Sequence, residues 1–236
     1  MEIITLCANK GGVGKTTIAL NLAYALLKRN FKILLVDTDR QCNLTTISGA
    51  NTIKNNKTLL DYFQGAKISG VITRTKSGLD IIPGDKDISE TDLKGFNRSV
   101  RALDYDYVII DTSANINELT EAFMGVSDRI LIPLKLDVLS YQGLSQLYPE
   151  ILDKKIGAII TCSDMRTKIC QLAKAQIEHF CKSADITLYN TQIRQSVAIP
   201  ESFLMGQPVI EYAPKSNPSI DFENLCNEFL GGNNCK

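Results

Sequence analysis

Short apolar runs alternate with longer amphipathic segments along this chain. Six runs have the length of buried strands: Ile3–Ala8, Lys32–Asp37, Leu79–Pro83, Tyr107–Asp111, Arg129–Pro133 and Ile156–Thr161. Runs such as Val108-Ile109-Ile110 are apolar on both faces of a strand, which is typical of parallel strands covered by helices on both sides. The pattern therefore predicts an α/β fold with a doubly wound, mainly parallel sheet and helices on both of its faces.

Apolar residues recur at helical spacing in the segments between and after these runs. The predicted helices are Thr16–Arg29, Glu118–Gly125, Gly143–Leu152, Arg166–Ser183 and Ser219–Leu230. Residues 51–77 have the weakest pattern, and no Pro/Gly/Ser-rich linker or internal repeat divides the chain. We therefore expect a single domain over residues 1–236.

The composition is that of a globular protein without charge bias. Of the 236 residues, 44% are hydrophobic, and 26 Lys and Arg are balanced by 26 Asp and Glu. This balance excludes a polybasic mode of nucleic-acid binding. No apolar run approaches the ~20 residues of a membrane span, and the first residues lack a signal-peptide pattern. We expect a cytoplasmic protein that does not contact membranes.

The seven cysteines include no C-x-x-C pair, and the chain has one histidine. A zinc site or a disulfide framework needs such pairs or an extracellular setting. The cysteines are therefore expected to be free thiols in a reducing compartment.

A glycine-rich loop follows the first predicted strand and leads directly into the first predicted helix. Its sequence is Lys10-Gly11-Gly12-Val13-Gly14-Lys15-Thr16-Thr17. Glycines let backbone N–H groups surround phosphate oxygens, and the N-terminus of the helix attracts negative charge. Lys15 adds a point charge, and the Thr16 hydroxyl can ligate Mg²⁺. This combination predicts a P-loop that binds ATP and Mg²⁺ through residues 10–17.

Three aspartates lie at the carboxyl ends of predicted strands, where a doubly wound sheet binds its ligands. Asp111 ends the strand Tyr107–Asp111, and Asp37 and Asp39 lie two residues apart at the end of another strand. Phosphoryl transfer to water requires a metal, a positive charge on the phosphates and a group that positions the water. Thr16 is predicted to ligate Mg²⁺, and Asp111 is predicted to contact the ion through water or through its other ligands rather than directly.

The run Lys10–Thr17 is similar to the deviant Walker A motif of the ParA/Soj family of partition ATPases, to which MinD is more distantly related. Residues 34–43 resemble the D-x-D-P-Q-x-N element of that family, and residues 106–111 resemble its Walker B strand. Further matches are Ile132-Pro133, Gly143–Leu147, Thr161–Arg166 and Gly206–Val209. The resemblance is therefore nearly full length.

The resemblance implies an ATPase that dimerises around two ATP molecules. Lys10 would reach across the dimer to the phosphates of the partner, and Lys15 and Asp39 would complete the catalytic set, with Asp39 orienting the attacking water. Asp37 would support the metal. The resemblance also places residues 161–166, including Asp164 and Arg166, and the segment at Pro214 beside the adenine.

Two departures from the family lie close to the expected γ-phosphate. Arg40 stands where the family usually has Pro, and Thr112-Ser113-Ala114 replaces a segment that usually contains Pro-Pro. Because proline restricts the backbone, we expect less rigid loops here. This affects the hydrolysis rate and its stimulation more than nucleotide binding.

The charge is uneven in the last third of the chain. Residues 151–195 carry seven Lys and Arg against four Asp and Glu, whereas residues 196–236 carry two against five. The resemblance implies that the segments at Arg194 and Lys215 contact DNA. Because no sequence-reading motif is present, we expect duplex DNA to be bound without sequence preference. The resemblance further implies a role in DNA segregation on the nucleoid with a ParB-like centromere-binding partner.

Three other functions are considered on the same scaffold. A MinD-like membrane-cycling ATPase would need a basic amphipathic C-terminal helix, whereas residues 221–230 are acidic. A reductase similar to the nitrogenase iron protein would need cluster-ligating cysteines after the Walker B strand, and none occurs between Cys42 and Cys162. A metabolic ligase or small-molecule kinase has no acceptor motif in its favour but stays open.

Overall fold

The computed structural model describes residues 1–53, 57–88, 93–162 and 167–231. Its strands are β1 (Glu2–Leu6), β2 (Ile33–Asp37), β3 (Thr73–Arg74), β4 (Asp80–Ile82), β5 (Tyr107–Asp111), β6 (Arg129–Leu134), β7 (Lys155–Ile160) and β8 (Thr187–Leu188). Its helices are α1 (Lys15–Leu27), α2 (Asn43–Ile47), α3 (Leu59–Phe63), α4 (Leu93–Arg101), α5 (Glu118–Val126), α6 (Val138–Leu147), α7 (Lys168–Ser183), α8 (Ala198–Leu204), α9 (Val209–Tyr212) and α10 (Asn217–Phe229).

The strands form one sheet in the order β3-β4-β2-β5-β1-β6-β7-β8, and every pairing is parallel except β3 with β4. The central strand β1 pairs with β5 and β6, and β5 also pairs with β2. This arrangement confirms the predicted α/β class. It also places the ends of β2 and β5 side by side, with Asp37 opposite Asp111.

Helices cover both faces of the sheet, because alternate residues of the buried strands point to opposite sides. On one face, Ile4 and Leu35 pack with α1 and α10. On the other face, Ile3 and Leu34 pack with α4 and α5, and β6 and β7 pack with α6 and α7. The doubly wound arrangement follows from the strands being apolar on both sides.

The closing helix α10 is part of this core. Phe222, Leu225 and Phe229 are buried in the same cluster as α1. The Arg129 guanidinium lies 4.6 Å from the centre of the Phe229 ring. Throughout the described ranges, every helix is too short or too polar to cross a bilayer.

Several helices differ from the sequence expectations, among them the short helices α2, α3, α8 and α9, which were not predicted. Helix α4 was not predicted, although Leu93, Phe96 and Val100 have helical spacing and are buried. Helix α6 begins at Val138, five residues before the predicted start. The reason is the Asp137 side chain, which accepts the Ser140 N–H at 2.8 Å and so caps the helix.

Phe96 tests the packing of α4 on the sheet. It is fully buried, and its ring centre lies 5.4 Å from that of Phe123 and 5.8 Å from that of Tyr62. Removing the ring in Phe96→Ala leaves a cavity, so we expect the free energy of unfolding in urea to fall by about 3–5 kcal/mol. Phe96→Leu, which fills most of the space, is the control. A loss below about 1 kcal/mol for the alanine variant would contradict this packing.

Candidate nucleotide-binding site

The P-loop connects β1 to α1, and its turn depends on the backbone conformation of two glycines. Gly12 and Gly14 have φ angles of 68° and 92°, the left-handed region that favours glycine. Val13 is buried, and its carbonyl accepts a hydrogen bond from the Thr161 hydroxyl at 2.8 Å. The loop is therefore fixed to β7 at its centre, and its second half leads directly into the N-terminus of α1.

A cavity of about 700 Å³ lies over this loop. Residues 12–17 line it on one side, together with Asp39 and Asn43 from the segment after β2. Thr161, Cys162 and the segment from Ile193 to Val197 contribute to the other side. The volume is in the range of small-molecule sites, and the N-terminus of α1 gives it a positive end.

Asp111 is the least satisfied polar group that the described residues contain. It is fully buried, and neither carboxylate oxygen has a hydrogen-bond partner. Burial raises its pKa well above the ordinary value, and the charge of Asp37 adds to this rise. The Thr16 hydroxyl and the Lys15 ammonium oppose the rise, although the hydroxyl does not have the geometry of a hydrogen bond.

Lys15 supplies the positive charge inside the cavity. It is 6% exposed. Burial lowers the pKa of its ammonium, and the charges of Asp111 and Asp39 oppose this shift. A buried cation next to an unpartnered carboxylate is suited to a ligand that brings both phosphate and a divalent cation.

Asp37 lies beside Asp111 but is bonded to the protein. Its Oδ2 atom accepts the Thr45 N–H at 2.8 Å and the Thr45 hydroxyl at 2.7 Å, and its Oδ1 atom accepts the Asp39 N–H at 3.2 Å. Burial raises the pKa of Asp37 to about 6. The side chain of Cys42, the residue before α2, makes no capping hydrogen bond. The Asp37 carboxylate makes this bond instead, by accepting the Thr45 N–H in the first turn of α2. Its support of a metal stays a prediction.

Asp39, which the sequence predicts as the water-orienting group, lies at the cavity, and its role stays a prediction. It lines the cavity, and its Oδ1 atom accepts the Gln41 N–H at 3.0 Å. The preceding Thr38 hydroxyl donates to the carbonyl of Asp111 at 2.8 Å. The ends of β2 and β5 are thus joined by hydrogen bonds, and the position of Asp39 is fixed relative to Asp111.

These residues fit ATP and Mg²⁺. Mg²⁺ in nucleotide sites takes one or two protein oxygens and completes its shell with water and phosphate. The Thr16 hydroxyl and the unpartnered Asp111 carboxylate are the protein oxygens available for this role. The loop amides and Lys15 would hold the phosphates.

Lys10 lies apart from this set. Its Nζ atom is 2.6 Å from Oδ2 of Asp137, and the two side chains are 29% and 36% exposed. Lys10 is not among the described residues that line the 700 Å³ cavity. The two lysines of the loop therefore have different surroundings, since Lys15 lines the cavity and the half-buried Lys10 lies outside it, paired with Asp137.

The residues predicted beside the adenine come from two segments, 161–166 and the one at Pro214. Asp164 and Arg166 lie outside the described residues. Pro214 is exposed and is not among the described residues that line the cavity. Thr161 and Cys162, from the same predicted segment, do line it.

The two residues predicted to contact DNA differ in their surroundings. Arg194 donates to Asp221 with Nε at 3.0 Å and with Nη2 at 2.6 Å, and Asp221 is 5% exposed. This pair holds the segment before α8 against α10. Lys215 is exposed, and its ammonium has no bonded partner in the part of the chain that the structure describes.

The sequence reasoning missed several residues that hold the site. Thr45 bonds Asp37, and its hydroxyl also accepts the Gly84 N–H at 2.9 Å. Asn21 accepts the Val209 N–H at 2.8 Å and so ties α1 to α9. Asp137 as the partner of Lys10 is 127 residues away. Only Asp137 had a local signal, since an Asp directly before an apolar run such as Val138-Leu139 is a helix-cap pattern.

The fold and the site together define a class. A parallel sheet whose first strand leads through a glycine-rich loop into a helix, with a buried lysine and two strand-end aspartates, is the arrangement of a P-loop nucleotide hydrolase.

Comparison with known proteins identifies the family. A family profile described as an AAA domain (AAA_31) matches residues 1–158. The chromosome partitioning protein ParA of Caulobacter vibrioides is 31% identical over 255 residues, covering 98% of this chain and 94% of that protein. The sporulation initiation inhibitor protein Soj of Bacillus subtilis is 30% identical, covering 96% and 97%. The chain therefore belongs to the ParA/Soj family of deviant Walker A ATPases.

A solved structure agrees with the fold. The septum site-determining protein MinD of Pyrococcus horikoshii OT3, complexed with Mg-ADP, superposes with a TM-score of 0.83. It is 25% identical, and the match covers 98% of this chain and 97% of MinD.

Asp111→Asn tests the metal side of the site. In the wild-type protein, Mg²⁺ is expected to raise the affinity for ATP relative to ATP with EDTA, since the carboxylate attracts the cation. The variant keeps the shape but loses the charge, so this gain should fall by about 10–100-fold. Isothermal titration of ATP in Mg²⁺ and in EDTA measures the two affinities whose ratio is this gain. Asp153→Asn, at an exposed carboxylate, is the control. An unchanged gain in Asp111→Asn would show that another group holds the metal.

Proposed function

We propose that this chain, as a single P-loop domain over residues 1–236, is a Mg²⁺-dependent ATPase of DNA segregation. In this proposal it dimerises around two ATP molecules, binds duplex DNA without sequence preference in that state, and leaves DNA after slow, partner-stimulated hydrolysis. The observation that carries the proposal is the separation of the two loop lysines. Lys15 is buried in the cavity, whereas Lys10 is held outside it by Asp137.

Hydrolysis would use the residues described above. Lys15 and the amides of the loop hold the phosphates, and Thr16 and Asp111 hold the cation. Asp39 positions the attacking water, since its carboxylate lies in the cavity and its backbone is fixed by Asp37. Bound Mg²⁺ would neutralise charge on the phosphates during transfer.

Dimer formation is supported by the surface around Lys10. Next to Asp137, the side chains of Val138 and Leu139 are 53% and 63% exposed. Exposed apolar side chains that lie together and are rimmed by polar residues mark interaction sites. A second copy of the chain, placed against this surface, would receive Lys10 and cover both apolar side chains.

The relatives support a role on DNA. ParA of Caulobacter vibrioides is named for chromosome partitioning, and this chain belongs to the same family. The role would be exercised in the cytoplasm on the nucleoid, with a ParB-like centromere-binding protein as the partner that stimulates hydrolysis. Lys215 is exposed and available for a phosphate contact. Arg194 would contact DNA only by leaving or sharing Asp221.

The likeness to MinD supports a second candidate, a membrane-cycling ATPase. Helix α10 does not favour it. Asp221 binds Arg194, Glu223 binds Arg29, and Glu228 accepts the Thr191 N–H, so the acidic side of the helix is used within the fold. The apolar side packs on α1. Co-sedimentation with anionic liposomes in Mg-ATP would favour the membrane candidate.

The proposed function is tested by the fluorescence anisotropy of a random-sequence duplex titrated with the protein at fixed moderate salt. We expect binding with Mg-ATP and none with Mg-ADP or without nucleotide, because two copies must combine their phosphate contacts. Binding that does not depend on the nucleotide, or no binding at all, would contradict a partition function.

The same assay locates the DNA surface. Lys215→Ala should weaken binding to all sequences and reduce the slope of log affinity against log salt by about one phosphate contact. Lys67→Ala, an exposed lysine elsewhere, is the matched control. Arg194→Ala is less informative, because it would also leave the buried Asp221 without its partner. An unchanged slope for Lys215→Ala would place the surface elsewhere.

Lys10→Ala tests the role across the dimer. Because Lys10 lies outside the cavity, the variant should still bind nucleotide but lose the ATP-dependent dimer in light scattering. Lys28→Ala removes a surface lysine that pairs with Glu223 on α10, and should leave dimerisation unchanged. A Mg-ATP-dependent dimer of the Lys10→Ala variant would refute this role.

A further inference from the structure

A third lysine lies against the P-loop. Lys135 directly follows β6, and its Nζ atom is 3.9 Å from the position that a Cβ atom on Gly12 would take. The residue is half-buried. In the described part of the chain, no hydrogen bond or ion pair engages its ammonium. The side chain therefore places an uncompensated positive charge at the loop.

The backbone of Lys135 is held in place. Its N–H donates to the Ser140 hydroxyl at 3.2 Å, and its carbonyl accepts the Asp137 N–H at 2.9 Å. The same short turn carries Asp137, the partner of Lys10. The position of Lys135 next to Gly12 is thus a consequence of β6 pairing with β1 and of the cap on α6.

The three lysines at the loop differ in charge compensation. The charge of Lys10 is neutralised by Asp137, and Lys15 is surrounded by the charges of Asp111 and Asp39. Lys135 has no such neighbour among the bonded groups that the structure describes. An ammonium without a bonded partner is free to form a charge-assisted hydrogen bond with an anionic ligand. The site therefore favours an anion that arrives at Gly12.

Gly12 directly follows Gly11, which lies beside the segment after Asp111. A Cβ on Gly11 would lie 3.6 Å from Cβ of Ala114, in the segment that follows Asp111. A Cβ on Gly14 would lie 3.8 Å from Cγ2 of Thr161, on the opposite side of the cavity. The first half of the loop is thus next to the residues that suit the cation, where the terminal phosphates of a nucleoside triphosphate belong.

We propose that Lys135 is a further phosphate-binding residue of the nucleotide site and acts on the terminal phosphates of ATP. The lysine does not line the 700 Å³ cavity; its ammonium approaches the loop from the side of Asp137. This inference rests on the nucleotide-binding part of the proposed function and is independent of DNA binding and of segregation.

The test is isothermal titration of Mg-ATP and Mg-ADP into wild-type protein, Lys135→Gln, Lys135→Arg and Lys155→Gln. Loss of one charge-assisted contact should raise the Kd for Mg-ATP about tenfold in Lys135→Gln, with a smaller rise for Mg-ADP. Lys135→Arg should retain most of the affinity. Lys155→Gln, an exposed lysine at the opposite end of the sheet, is the matched control. An unchanged Kd for Mg-ATP in Lys135→Gln would overturn the proposal.

A second measurement needs no variant. Mg-ATP should slow the acetylation of Lys135 by an amine-reactive reagent several-fold in wild-type protein, whereas Lys155 should react at the same rate. Protection that persists at monomeric dilution assigns the contact to the nucleotide of the same chain. Protection seen only in the dimer assigns it to the nucleotide of the second copy. Equal reaction rates with and without Mg-ATP would overturn the proposal.

Failure of the Lys135 proposal can be told apart from failure of the proposed function in DNA segregation. Both measurements use nucleotide without DNA, so a protein that binds Mg-ATP but not the duplex would fail the segregation test and still report on Lys135. Conversely, Lys135→Gln could bind DNA in an ATP-dependent way and have wild-type affinity for the nucleotide. This result would support the proposed function and overturn the role of Lys135.

Discussion

The buried carboxylate of Asp111 constrains the whole site. It lies at the end of β5, between β1 and β2, and both of its oxygens are without a hydrogen-bond partner. Burying such a group is unfavourable unless something completes it. The residues around it supply a cation at Lys15, a hydroxyl at Thr16 and a space above the P-loop, so a phosphate with its divalent cation completes what the chain alone leaves open.

The neighbouring Asp37 shows the opposite solution. Its oxygens are occupied by Thr45 and by the Asp39 N–H, so it holds α2 and the loop of Asp39 in place. Two aspartates in register on adjacent strands thus have different tasks, one within the fold and one toward a ligand. The distinction depends on side-chain contacts made by α2, which the strand pattern does not contain.

The sequence was sufficient for the fold class and the P-loop because both are encoded locally. Strands that are apolar on both faces require helices on both sides, and the loop residues are consecutive. Other contacts join residues far apart along the chain. Lys10 pairs with Asp137, Arg194 pairs with Asp221, and Gly12 lies next to Lys135. Pairing of β6 with β1 brings the first and third of these together. Helix α4 had the spacing of Leu93, Phe96 and Val100 but few other signals.

The central claim is that the site is completed by phosphate and cation together. Thermal unfolding of the wild-type protein in Mg²⁺ alone, in ATP with EDTA and in Mg-ATP tests this most directly, since a ligand that binds the folded state raises its stability according to its affinity. We expect a much larger rise in Tm with Mg-ATP than the sum of the two separate rises. An equal rise with ATP in EDTA would show that the cation has no part in completing the site and would contradict this account.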